Sequence, residues 1–76
     1  MQNIKDIVWS ETYVKDENEL TFQIRAWGPH FVCEWVSEGK ATTWGVSTFN
    51  RSYDMAQYLV AVNVRDGWRS AEKVAN

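Results

Sequence analysis

Residues 20–27 alternate apolar and polar side chains: Leu20, Phe22, Ile24 and Ala26 fall on one side, Thr21, Gln23 and Arg25 on the other. A period of two is what a half-buried strand requires, and a lone strand is not stable in water, so this segment demands neighbours. The flanking sequence supplies them. Ile7, Val8, Trp9, Thr12, Tyr13 and Val14 precede it, and Phe31 to Val36 and Ala41 to Phe49 follow, all rich in β-branched and aromatic residues. Turn chemistry separates the runs: a polar stretch from Lys15 to Glu19, then Gly28-Pro29, then Glu38-Gly39-Lys40. The expectation is a four-stranded antiparallel meander with strands at 6–14, 20–27, 31–37 and 41–49.

Directly opposed residues share a face, so the apolar sets of neighbouring strands must coincide. A four-residue loop from Lys15 to Asn18 opposes Val14 to Glu19, hence Tyr13 to Leu20 and Trp9 to Ile24. A turn at Gly28-Pro29 opposes Ala26 to Phe31, Ile24 to Cys33 and Phe22 to Trp35. A two-residue turn at Gly39-Lys40, with Gly first as a type II′ hairpin prefers, opposes Trp35 to Trp44 and Cys33 to Val46. All three turns agree on one apolar face: Ile7, Trp9, Tyr13, Leu20, Phe22, Ile24, Ala26, Phe31, Cys33, Trp35, Trp44 and Val46. Glu11, opposite Phe22, is the exception and reads as an edge carboxylate reaching water. The other face carries Thr21, Gln23, Arg25, Trp27, Val32, Glu34, Val36, Ala41, Thr43, Gly45 and Ser47, and most of it reads as solvated.

After Asn50 the period changes to about 3.6. Met55, Tyr58, Leu59 and Val62 form one stripe, with Ala56, Val60 and Asn63 beside it. This predicts an amphipathic helix over 52–66, capped by Asn50 or Ser52, with Asp54 near its positive end and Arg65 near its negative end. Gly67 reads as the left-handed residue beyond the helix, with Trp68 folding back over the last turn. Residues 69–76 read as a short helical turn or a frayed tail. An apolar sheet face and an apolar helix stripe bury one another, so the predicted fold is α+β, a single small domain of four strands covered by one C-terminal helix.

Size limits what such a domain can hide. A chain of 76 residues buries only about 60% of its unfolded surface, so its stability leans on a few large side chains; here eleven are aromatic, five of them Trp. The formal charge is −2 and the pI near 5.2, which disfavours a dedicated phosphate-backbone binder. Cys33 is the single cysteine, so neither an intrachain disulfide nor a cysteine-based zinc site is available, and a reducing compartment is the simplest setting. Met1 to Asp6 lacks the apolar run of a signal peptide, and no segment approaches the length of apolar sequence that spans a membrane. The expected location is cytoplasmic.

Catalytic and cofactor chemistry finds little to work with. His30, the single histidine, sits in a turn with no orienting partner, and Cys33 reads as a buried, inert thiol. Asp16-Glu17-Asn18-Glu19 lacks the glycine and spacing of a calcium loop, and the glycines are scattered singly rather than gathered into a phosphate cradle. Asn50-Arg51-Ser52 matches a glycosylation sequon but reads better as a helix start. No catalytic residue, metal or cofactor is assigned. The expectation is a non-catalytic, accessory or regulatory module that binds another protein, in the size class of phage- or plasmid-type inhibitors that occupy a partner's surface. Trp27, Val32, Val36 and Trp68 are its candidate contact residues, the edges of the open sheet are a second route for another chain, and either surface could join a homodimer. The acidic tip, Asp16, Glu17 and Glu19, offers a basic partner a contact. The alternative is a single-stranded nucleic-acid binder using Arg25, Trp27, Arg65, Arg69 and Lys73, although Asp54, Asp66 and Glu72 lie among the basic residues.

Overall fold

The computed structural model describes residues 6–71. Its elements run β1 (Ile7–Lys15), β2 (Asn18–Trp27), β3 (His30–Ser37), β4 (Lys40–Ser47), α1 (Phe49–Arg65) and β5 (Arg69–Ser70). The strands form one antiparallel sheet in the order β4-β3-β2-β1-β5, and α1 packs on one face. The α+β meander predicted above is therefore present, with one strand added. Arg69 and Ser70 pair with Val14 and Tyr13, and the expected helical turn opens only at Ala71. The rest of that predicted tail, 72–76, lies outside the described residues. Because β4 and β5 are the two outer strands, α1 carries the chain across the whole inner face.

Two of the three expected registers hold residue for residue. Trp9 faces Ile24, Tyr13 faces Leu20 and Val14 faces Glu19; Phe22 faces Trp35, Ile24 faces Cys33 and Ala26 faces Phe31. The first loop is tighter than expected, since Lys15 pairs with Asn18 across Asp16-Glu17, with Asp16 at φ 56°. Ile7 leaves the inner set: an irregularity at Val8 brings it opposite Arg25. His30 begins β3, paired with Trp27, rather than lying in a loop.

The third register differs. Ser37 pairs with Lys40, so the turn residues are Glu38 and Gly39, at φ 54° and 78°. Positive φ at both central positions is the type I′ pattern, whose twist suits a hairpin as well as the II′ turn expected at Gly39-Lys40. Continued unbroken, this register would set Trp44 opposite Cys33 and Val46 opposite Phe31, both still inward, but a bulge intervenes. Thr43 pairs with Glu34 and Gly45 with Cys33, leaving Trp44 as the extra residue. Its indole then lies 5.3 Å from that of Trp35, so the two are neighbours as expected. Beyond the bulge the faces invert: Val46 faces Val32, while Gly45 and Ser47 face Cys33 and Phe31.

The helix begins three residues before its predicted start. Thr48 is the N-cap, accepting a hydrogen bond from the Arg51 N–H at 3.3 Å on its Oγ1, and Phe49 opens the first turn. Ser52 is thus inside the helix, and its hydroxyl donates to the Phe31 carbonyl oxygen at 3.5 Å. At the other end Gly67, at φ 103°, reverses the chain as predicted. Its N–H donates to the Val64 carbonyl and that of Trp68 to Asn63, which satisfies two carbonyls the helix leaves open.

Rotation of the helix is the main departure. Ser52 and Ala56 are its buried residues, at 3% and 0% exposure, whereas Tyr58 is 63% exposed and Val62 39%. The sheet explains this. Its inner face presents Phe22, Phe31 and Trp35, and small side chains on the helix let the two layers approach without overpacking. The Met55-Tyr58-Val62 stripe is therefore turned to the flank beside β4. Phe22, Ile24 and Cys33 fill the centre of the core.

Candidate functional site

The face away from the helix is closed over a polar cluster. Glu34 and Gln23, directly opposed on β3 and β2, are 4% and 5% exposed. The Glu34 carboxylate accepts from Gln23 Nε2 at 3.0 Å, from Arg25 Nε at 3.2 Å and Nη2 at 3.2 Å, and from Thr43 Oγ1 at 3.3 Å. Burial pushes this carboxyl's pKa up, but the Arg25 guanidinium and the other donors outweigh it and hold the group below the usual carboxylate range. The same contact with Glu34 raises Arg25. A face expected to be solvated thus holds a saturated ion pair, and its members are occupied with one another. Val32 is buried with them, at 2% exposure.

This arrangement sorts the residues singled out in the sequence. Trp27 is 57% exposed at one end of the sheet. Val36 and Trp68, both partly buried, meet at the other end, where they line a cavity of about 480 Å³ with Thr21, Glu17, Glu19 and Glu38. Val36 lies six positions along β3 from His30, which is opposite Trp27, a span of about 20 Å. The four candidate contact residues therefore form no continuous exposed patch: Val32 is covered and Trp27 stands apart. For the nucleic-acid set, Arg25 is engaged by Glu34, Arg65 and Arg69 are exposed at the end remote from Trp27, and Lys73 lies outside the described residues.

Groups with chemical potential elsewhere are quiet. Burial pushes the Cys33 thiol up, away from its reactive thiolate form. Tyr13 donates its hydroxyl to Glu11 at 2.9 Å, and burial together with that carboxylate pushes the phenol up to about 12. Glu11 itself is exposed, as expected of an edge carboxylate. Among the described residues no three His, Cys, Asp or Glu side chains assemble as a metal-binding group, and no helix is long and apolar enough to cross a membrane.

An open apolar surface lies instead between α1 and β4. A groove of about 440 Å³ is lined by Trp44, Arg51, Asp54, Met55 and Tyr58. Trp44 also lines the two adjoining clefts, one reaching Cys33 and Val46, the other reaching Phe22, Trp35 and Leu59. It is 46% exposed and Val46 47%. Trp44 stands here at the bulge, and the rotation of α1 brings Met55 and Tyr58 alongside. Sequence reasoning assigned Trp44, Val46, Met55, Tyr58 and Val62 all to the buried interface of helix and sheet. The signal that separates them is the Ser52-Ala56 pair, one turn apart, which marks the helix stripe able to lie against a face of large side chains. Against models of protein families, curated proteins and solved structures, the chain matches none.

Proposed function

We propose that this chain is a non-catalytic protein-interaction module, accessory or regulatory in role, which docks a protein partner on the surface formed by the β4 edge and the flank of α1. The observation that carries this reading is the helix's rotation. Its small residues face the sheet, and Met55 and Tyr58 are left beside the half-exposed Trp44. Large aromatic side chains flanked by aliphatic ones, with an Arg and an Asp at the rim, are the composition of a protein-contact hot spot. β4 adds to the same surface a strand edge that no strand pairs with among the described residues. A reducing, cytoplasmic setting belongs to this reading, since Cys33 is the single cysteine. The nucleic-acid alternative has weaker support, because the guanidinium nearest Trp27 in the strand is held by Glu34.

The test is a photoreactive phenylalanine analogue placed at Tyr58 or, as a control, at Val8 on the opposite edge, in cells producing the protein. Both positions are exposed, at 63% and 48%. Protein adducts are expected at position 58 and not at position 8. Equal labelling at both, or none at 58, would remove the assignment.

A further inference from the structure

We propose that the occupant of this surface is a second copy of the same chain, joined through β4 about a two-fold axis so that the two sheets run on into one another. This rests on the interaction reading above and names its partner. The chemistry of the two sheet edges separates them. Natural edges are guarded by charge, proline, bulges or a covering element. On the β1 side β5 covers Tyr13 and Val14, and Glu11 adds a charge. On the β4 side the only charge of the strand is Lys40 at its turn end, residues 41–47 carry none, and nothing among the described residues pairs with them on the outer side. The Trp44 bulge interrupts the ladder, so backbone pairing is confined to the strand on either side of it, and the side chains of the groove must carry the rest.

Geometry fits two copies. Helix α1 packs chiefly over β2 and β3, about two strand spacings in from the β4 edge. Edge-to-edge pairing at about 4.8 Å per strand sets the two helix axes about 19 Å apart. Helices in direct contact lie about 8–10 Å apart, so room remains for one further layer of large side chains from each copy. Trp44, Met55 and Tyr58 stand in that space. The edge is also large enough. Eight residues of β4 extend about 27 Å, and the shortest dimension of the molecule is 20 Å. The face is therefore on the order of 500 Å² per copy and about 1,000 Å² for the pair, at the lower bound for a specific interface. A weak, concentration-dependent dimer is expected. Charge does not oppose it: Arg51 and Asp54 balance at the rim, although the chain as a whole carries −2.

Light scattering and sedimentation on the full chain, from about 1 µM to about 1 mM and with and without about 1 M salt, test this. The mass should rise from 8.9 kDa towards twice that value, and salt should not reverse it because the contact is apolar. Tyr58→Lys and, separately, Val46→Lys should each move the midpoint at least about 10-fold towards monomer, while Val8→Lys should leave it in place. Circular dichroism checks that each variant is folded. A chain that stays monomeric to the highest concentration, or a dimer lost with Val8→Lys and kept with Val46→Lys, overturns the proposal. If the monomeric chain still crosslinks other proteins from position 58, the second copy is excluded and the interaction module stands. Monomer without crosslinks removes both.

Discussion

The two flanks of α1 hold similar side chains in opposite states. On the β1 side Trp9 meets Tyr53 edge-on at 5.6 Å, Tyr53 stacks on Phe49 at 6.0 Å, and Phe49 meets Phe31 at 5.5 Å. These contacts run around the helix's first turns and tie β1 to β3, with Tyr53 still 38% exposed at their outer side. On the β4 side Trp44 touches a single aromatic ring, that of Trp35, and Tyr58 touches none among the described residues. A domain this small cannot enclose eleven aromatics. The difference between the flanks therefore separates the aromatics that hold the fold from those that exceed its needs. The second group is the one available to a partner.

Substitutions make that division measurable. Phe22→Ala, at a core position 2% exposed, should cost about 3–5 kcal/mol in denaturant unfolding. Trp9→Ala on the closed flank should cost about 3 kcal/mol and Trp44→Ala about 1 kcal/mol, since the latter ring already faces water over nearly half its area. Equal costs for the two tryptophans would erase the distinction between the flanks.

Next in size is a pH effect at the closed side. The Tyr13 phenol lies near 12 in the folded protein, against about 10 unfolded, so its contribution is complete below about pH 10 and is lost as pH rises towards 12. The expected fall, on the order of 2 kcal/mol, should vanish in Tyr13→Phe when unfolding is followed across that range. Smallest is Tyr58→Ala, which should change stability by less than about 0.5 kcal/mol while abolishing photocrosslinking from a probe at Met55. A larger loss of stability would return Tyr58 to the core.

What could be read in the sequence divides along similar lines. Registers bounded by Lys15 to Asn18 and by Gly28-Pro29 were legible because alternation on both sides of each turn allows one face only. The β3–β4 register was not, since nothing local marks Glu38 as a residue at positive φ, and the Trp44 bulge then breaks the alternation, turning Val46 to the other face. The rotation of α1 escaped for a tertiary reason. Apolarity favours the Met55-Tyr58 stripe, but the bulk of Phe22, Phe31 and Trp35 selects the smaller one. The polar cluster was partly within reach: Gln23 and Glu34 are opposed in the expected register, with Arg25 one diagonal away. Its burial depends on four side chains covering one another, which single-strand patterns do not encode.

Strand β5 also bears on the order in which the molecule assembles. The three hairpin contacts of the meander join neighbours in the chain, whereas Arg69 and Ser70 must find Val14 and Tyr13 from the far side of the helix. Loop closure makes such a contact late, and with two residues it adds little until the helix is docked and the Gly67 reversal has aimed the chain. Until then the β1 edge is as bare as that of β4. During synthesis and refolding the protein therefore passes through a form in which the Tyr13-Val14 end of β1 is open as well, and β5 is the latch that closes that end.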